Sequence, residues 1–171
     1  MPARHFDPAR RSLLFGGGAA ALALGGCGFK LREAPQFAFR TIAMPETSAY
    51  LKQLKRAIEV TGTLKPLPIA EATSAEAIFD LLGESREQVV VSTNSAGQVR
   101  EMQLFLRVRF KVRAPSGREL VPPSLVEQWR DITYNETAAL AKENEVQLLY
   151  RDMTTDVVQQ TLRRLAAAKP A

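Results

Sequence analysis

The sequence predicts an α+β fold in which a four-stranded sheet carries two α-helices packed on one face. Three observations predict this class. Two separate segments repeat apolar residues at helical spacing, one in the first half of the chain and one at its C-terminal end. Between them, long segments alternate apolar and polar residues as strands do, and turn residues separate these segments. The order strand, helix, three strands, helix leaves the second sheet face open to solvent or to a docked partner.

The first strand and the first helix are predicted for residues 37–44 and 49–61. Aromatic and β-branched residues alternate loosely in the strand, and Pro45 ends it. Thr47 or Ser48 can cap the helix, and Gly62 is well placed to stop it. The apolar positions that define the helix are Leu51, Leu54 and Ile58.

Two segments contain a pair of prolines each, and the prolines determine which structure we predict for them. The segment 63–74 contains Pro66 and Pro68 and is predicted to be a connection. The segment 118–134 is predicted to be a strand or a pair of strands, interrupted at Pro122-Pro123. Because proline lacks the N–H that a central strand needs, this strand is expected at an edge of the sheet or at a bulge.

The longest predicted elements are two strands and a C-terminal helix. The strands are predicted for residues 77–93, with a bend near Gly83, and 98–113, and the turn Asn94-Ser95-Ala96-Gly97 joins them. The helix is predicted to start near Thr137, and its interior contains no proline or glycine. Its apolar face consists of Leu149, Met153, Val157, Leu162 and Leu165.

Cys27, the only cysteine of the chain, follows the features of an export signal. A basic opening, a short apolar run over residues 13–24 and small residues before Cys27 are typical of a secretory signal peptide that is later removed. The apolar run is too short for a membrane span, which needs about 20 residues. Leu24-Gly25-Gly26-Cys27 resembles the lipobox of bacterial lipoproteins, whose cysteine sulfur receives a diacylglycerol. We therefore expect Cys27 to carry the membrane anchor; the alternative is an ordinary buried cysteine after an ordinary signal.

This interpretation divides the chain into three parts. Residues 1–26 form the signal peptide that is removed, residues 27–36 form a lipidated tether, and residues 37–168 form a single α+β domain. An aspartate at the position of Gly28 would resemble the signal for retention in the inner membrane, so its absence favours the outer membrane of a Gram-negative cell. The pair Arg10-Arg11 leaves the twin-arginine export route open beside the general one.

Composition argues against an enzyme. The only histidine, His5, leaves with the signal peptide, and lipidation consumes the only thiol. The mature chain therefore cannot build a nucleophile activated by histidine, a disulfide or a zinc site of histidine and cysteine. The acidic residues are scattered and single out no pair for acid–base chemistry, and no phosphate-binding glycine loop is present. We predict no catalytic residues, no metal and no cofactor apart from the covalent lipid on Cys27.

The third predicted strand contains a row of cations, which we call the basic ladder. Every second residue of this strand is apolar, and strand side chains alternate between the two faces. If the helices cover the apolar face, four cations line the open face at intervals of about 6.6–6.8 Å, where an anionic ligand with several phosphates would match them. The ladder consists of Arg107, Arg109, Lys111 and Arg113.

The alternative is that carboxylates on neighbouring strands neutralise the ladder. Glu127 and Asp131 alternate correctly to face it from the next strand, and Glu84 or Glu87 could do so from the preceding one. Trp129 shares the side of Glu127 and Asp131, and it is interpreted either as a packing residue at a protein interface or as a platform for a ligand.

Several short motifs of the mature chain occur in a specific order. They are Cys27-Gly28-Phe29-Lys30-Leu31-Arg32, Trp129-Arg130-Asp131, Ala139-Leu140-Ala141-Lys142-Glu143-Asn144-Glu145, Tyr150-Arg151-Asp152-Met153 and Gln159-Gln160-Thr161-Leu162-Arg163-Arg164-Leu165. Taken together, they resemble the LptE family of lipopolysaccharide-assembly lipoproteins. The likeness covers essentially all of residues 27–168, and the order and lengths of the predicted elements agree with it.

The resemblance implies a non-enzymatic subunit of the outer membrane. The subunit would plug the β-barrel protein LptD, with which it would form a heterodimer, and would help that barrel assemble. It would also bind lipopolysaccharide and assist its transfer to the outer leaflet. The resemblance implies no nucleic-acid partner. It assigns lipopolysaccharide contact to Lys142. The turn at residues 94–97 lacks the arginine that relatives can present there, and we hypothesise that the basic ladder compensates. The alternative function is another periplasm-facing outer-membrane lipoprotein, acting as an envelope-assembly or transport accessory factor.

Overall fold

A five-stranded mixed sheet and two helices make up the part of the chain that the computed structural model describes, residues 35–134 and 139–168. The signal peptide, Cys27, most of the tether and the predicted helix start at Thr137 lie outside the described residues. The elements are β1 Thr41–Met44, α1 Ala49–Thr61, β2 Lys65–Pro68, β3 Ala77–Thr93, β4 Val99–Arg113, β5 Glu119–Thr133 and α2 Ala139–Ala166, with a short 3₁₀ turn at Ile69–Glu71.

The predicted α+β class is confirmed, but the sheet has five strands rather than four. Its order is β2-β1-β3-β4-β5, with β1 parallel to β2 and β3, and the remaining pairs antiparallel. The prediction that residues 63–74 form only a connection was wrong, because Lys65–Pro68 pairs with β1. Pro66 and Pro68 are tolerated there because an edge strand needs hydrogen bonds on one side only. The first strand is shorter than predicted and begins at Thr41.

Helix α1 has the bounds and both caps that the sequence predicts. The Ser48 side chain accepts a hydrogen bond from the backbone N–H of Leu51, and Gly62 adopts the left-handed conformation at a φ of 68°. A non-glycine residue would be strained at that φ, which explains the glycine at the helix stop. The helix buries Tyr50, Leu51, Leu54 and Ile58.

The core lies between the two helices and one face of the sheet. The even-numbered side chains of β4 from Leu104 to Val112 are buried, and the rings of Phe79 and Phe110 stack at 5.1 Å between centroids. Val157, Met153 and Leu165 of α2 pack into the same cluster. The odd-numbered side chains of β4 point to the opposite face, which no described element covers; we call this surface the open sheet face.

The strands β3, β4 and β5 extend far beyond the short strands β1 and β2. Of strand β3, only the first two residues, Ala77 and Ile78, pair with β1. The β3–β4 turn therefore lies far from β1, at the opposite end of β3. The 17 residues of β3 span about 50 Å at 3.2–3.4 Å per residue. The Thr63 hydroxyl donates a hydrogen bond to the Pro35 carbonyl, and we call the end of the domain that contains these two residues the tether end. We call the opposite end, which contains the β3–β4 turn, the distal end.

Tyr50 links the two helices in the core, and its ionisation should destabilise the fold. Its hydroxyl lies 2.9 Å from the Thr161 hydroxyl. Burial, with a smaller contribution from Glu84, raises the pKa of Tyr50 well above its ordinary value of 10.0, against the opposing effect of the Thr161 hydrogen bond. Because the folded-state pKa is raised, the contribution of neutral Tyr50 to stability is full below about pH 10 and is lost as the pH rises further.

Replacing Tyr50 with phenylalanine therefore has two expected effects. At about pH 8 the free energy of unfolding falls by about 1 kcal/mol, because one buried hydrogen bond is lost. Above about pH 10 the wild type loses up to about 1.4 kcal/mol per pH unit from this site, and Tyr50→Phe does not. Urea unfolding followed by circular dichroism at several pH values measures both; parallel pH curves for the two proteins would contradict the assignment.

Candidate functional site

The basic ladder lies on the open sheet face, where carboxylates meet three of its four cations. Arg107 donates hydrogen bonds to Glu127 and Glu87, which raise the pKa of its guanidinium in that order of importance. Arg113 pairs with Asp80 at 2.8 Å, and Lys111 lies 4.0 Å from the same carboxylate. This pairing agrees with the neutralised interpretation of the ladder.

Arg109 is the exception in the ladder. Its cross-strand neighbours are Gly83 and Leu125, and no ion pair joins it to any residue in the described part of the chain. Of the acidic neighbours that the sequence proposes, Asp131 accepts from Gln103 instead, while Glu84 lies opposite buried Val108 on the helix side. Contact of the ladder with lipopolysaccharide stays a prediction, and Arg109 is its best-placed member.

A second basic site lies at the distal end, about 20 Å along β4 from the start of the ladder. A cleft of about 770 Å³, which we call the distal cleft, has Lys142 of α2 and Arg100 of β4 in its lining. Lys142 Nζ lies 2.8 Å from the Glu145 carboxylate and 3.5 Å from the Thr133 hydroxyl. The rest of the lining is mainly polar and includes Ser92, Thr93, Asn94, Gln98 and Glu101.

Lys142 also borders a second cavity, whose lining mixes apolar and polar side chains. This groove has a volume of about 400 Å³ and runs between β4 and the first turns of α2. Its apolar lining residues include Met102, Leu140 and Val146, and Leu140 is 76% exposed. Its polar lining residues include Gln88, Glu143 and Gln147. Lys142 thus lies between a cleft of mainly polar residues and a groove that adds apolar side chains, an arrangement that suits an amphiphile with an anionic headgroup.

The structure separates the predicted site residues into two places. Lys142 lies at the distal end, whereas the ladder runs along the open sheet face toward the tether end. Sequence reasoning missed Arg100, which joins Lys142 in one cleft because α2 begins beside the start of β4. The β3–β4 turn presents no cation, as its sequence indicates, and the Asn94 side chain instead accepts hydrogen bonds from the backbone N–H groups of Ala96 and Gln98.

Within residues 35–134 and 139–168, no group of three or more histidine, cysteine, aspartate or glutamate side chains could hold a metal ion. Neither of the helices described here is long and apolar enough to cross a membrane.

Comparison with known proteins identifies the family. The model of the LptE family, described as lipopolysaccharide-assembly, matches residues 39–165, which is most of the chain. The chain belongs to the LptE family. Among its relatives are the LPS-assembly lipoproteins LptE of Yersinia pestis and Yersinia pseudotuberculosis, each 30% identical over 158 residues that cover 90% of this chain and 75% of the relative.

Solved structures share the LptE fold of this chain. Lipoprotein B from Nitrosomonas europaea matches with a TM-score of 0.70 and 30% identity, over 82% of this chain and 91% of that one. The rare lipoprotein B from Shewanella oneidensis matches with a TM-score of 0.64 and 22% identity, over 75% of this chain and 95% of that one. The second likeness concerns the fold alone. The relatives are named as assembly lipoproteins, which agrees with the predicted class of a lipoprotein in lipopolysaccharide assembly.

Proposed function

We propose that this LptE-family chain is an outer-membrane lipoprotein that plugs the LptD barrel, helps it assemble and binds lipopolysaccharide on its way to the outer leaflet. The match to the lipopolysaccharide-assembly family over residues 39–165 carries the proposal. The signal sequence and Cys27 supply the anchor in the inner leaflet of that membrane. The protein then acts by binding and by steric fit, without catalysis.

The distal cleft is the proposed site for the lipid A headgroup. Arg100 and Lys142 provide two cations for phosphate, and the polar side chains around them suit sugar hydroxyls. The neighbouring groove has a mixed lining, in which Met102, Leu140 and Val146 offer apolar contacts for the start of an acyl chain. The basic ladder is the alternative contact for lipopolysaccharide, to be tested if the distal cleft fails, with Arg109 as its residue without an ion pair among the described residues.

The length of the domain supports this placement. The tether end follows the lipidated Cys27 closely in sequence, and the distal cleft lies about 50 Å away along β3. A bilayer with its headgroups is about 40–45 Å thick. A domain aligned with the axis of a barrel would therefore bring the distal cleft to the level of the outer leaflet, where lipopolysaccharide has to arrive.

The headgroup site makes a prediction for lipopolysaccharide binding. Lys142→Ala and Arg100→Ala are each expected to weaken the affinity of the purified lipoprotein for lipopolysaccharide roughly tenfold, equivalent to about 1.4 kcal/mol. Because phosphate contacts are electrostatic, the difference from the wild type should shrink as salt rises. Titration with fluorescent lipopolysaccharide across a salt series measures both quantities.

Lys52→Ala provides the matched control, since Lys52 is an exposed lysine on α1, away from the distal cleft. It should bind like the wild type within about twofold. Equal affinity for all four proteins would exclude the distal cleft as the headgroup site and leave Arg109→Gln as the next variant to test.

A further inference from the structure

The open sheet face has the features of a docking surface at its centre. Trp129 is 51% exposed there and lies opposite Phe105 across the β4–β5 pair. The guanidinium of Arg107 stacks 4.5 Å from the centroid of the Phe105 ring, and Leu125, which is 47% exposed, lies opposite Arg109. A large exposed aromatic residue within a ring of charged groups is the usual composition of a binding hot spot between proteins.

The charges on this face are segregated along the strands. The half of the face nearer the tether end contains three cations of the ladder and two carboxylates, those of Asp80 and Glu119. Toward the distal end Arg107 is the one cation that the structure describes, against four carboxylates. These four are Glu87, Glu101, Glu127 and Asp131. The face therefore has a mildly basic half and a strongly acidic half, with the aromatic pair near the boundary.

The distribution of charge indicates which molecule covers the open sheet face: lipopolysaccharide, lipid tails or the wall of a barrel. At the centre of the face, the carboxylates of Glu87, Glu127 and Asp131 outnumber Arg107 and repel the phosphates of lipopolysaccharide. So many charges also exclude contact with lipid tails. The lumen of a membrane barrel is lined by polar side chains, so a surface that fits against it should be polar as well. A charged face with one aromatic anchor meets that requirement.

We propose that the open sheet face docks on the luminal wall of the barrel partner, with Trp129 as the central anchor; this inference rests on the proposed function. The barrel wall then carries cations opposite Glu127 and Asp131 and carboxylates opposite Arg109 and Lys111. Because the two halves differ in sign, only one orientation along the barrel axis satisfies both. The face thus fixes the direction in which the domain enters the barrel.

Charge reversal tests this assignment in the tagged, lipidated full-length protein, expressed in its own cells and purified with its partner in mild detergent. Asp131→Lys reverses a carboxylate that forms no ion pair with any described residue and lies outside the lining of the distal cleft. We expect the barrel protein recovered per subunit to fall at least about tenfold, and Trp129→Ala to cause a loss of similar size.

The control is Asp152→Lys, which makes the same charge change at an exposed position on α2. We expect it to retain the barrel within about twofold, and circular dichroism of each variant separates lost docking from lost folding.

Recovery of barrel with the wild type and both open-face variants alike would overturn the inference but leave the proposed function intact. Cross-linking of lipopolysaccharide instead of barrel protein from a photoreactive residue at position 129 would also overturn it. Failure of the wild type itself to recover a barrel would overturn the proposed function, and the inference with it.

Discussion

Replacing Cys27 with serine is expected to remove the protein from the outer membrane. Without the sulfur no diacylglycerol can be attached, and each buried methylene of such a chain contributes about 0.8 kcal/mol to membrane binding. A lipoprotein of this kind carries several chains, so the loss abolishes a practically irreversible anchor. Membrane fractionation together with mass spectrometry of the N-terminal peptide measures the result; an unchanged outer-membrane fraction would contradict the anchor assignment.

Gly28→Asp is the matched variant for that experiment. It keeps Cys27 and its lipid but introduces the aspartate that resembles an inner-membrane retention signal. We expect a protein that is still lipidated and is found in the inner-membrane fraction. The two variants together separate the effect of lipid attachment from the effect of sorting.

Replacing Phe110 with alanine is expected to cause the largest loss of stability in the domain. Its ring stacks on Phe79 at 5.1 Å, and both side chains are fully buried between the sheet and the helices. Truncating a buried phenylalanine to alanine costs about 3–5 kcal/mol, which is a large part of the 5–15 kcal/mol that typically stabilises a domain. Urea unfolding of the purified protein measures the change.

Val60→Ala tests whether that loss reflects burial. Val60 is 86% exposed on α1, so its truncation should change the free energy of unfolding by less than about 0.5 kcal/mol. A loss below about 1 kcal/mol for Phe110→Ala, or an equal loss for both variants, would show that the Phe79–Phe110 pair does not form the centre of the core.

The elements whose boundaries have a local cause could be predicted from the sequence. Ser48 and Gly62 set the ends of α1 through hydrogen bonding and a left-handed φ, and both act within a few residues. The strands β3, β4 and β5 were predicted within about one residue at each end, because alternation and turn residues identify them locally. The irregular register near Gly83 and the edge position of β5, with its two prolines, are confirmed as well.

Strand β2 could not be predicted because its structure depends on a distant partner. Lys65–Pro68 is short and contains two prolines, so its local sequence indicates a connection. It becomes a strand because α1 returns the chain beside β1, where Thr41 and Lys65 align. Tertiary pairing of this kind overrides a local propensity.

The open sheet face shows the same division between local and tertiary causes. Alternation along β4 predicted that Arg107, Arg109, Lys111 and Arg113 share a face. The register then decided their partners: Asp80 rather than Glu84 faces the ladder from β3, because a bulge at Gly83 shifts the pairing. Arg100 escaped prediction for the same reason, since only the packing of α2 places Lys142 beside it.

A barrel-bound subunit of a lipopolysaccharide transport machine should leave the membrane together with its barrel. The tagged, lipidated protein is isolated from its own membranes in mild detergent, and the bound proteins are identified and quantified by mass spectrometry. We expect one large β-barrel protein in an amount about equal to the subunit. Recovery of the protein alone, or with inner-membrane or cell-wall partners only, would rule out a role as the plug of a barrel.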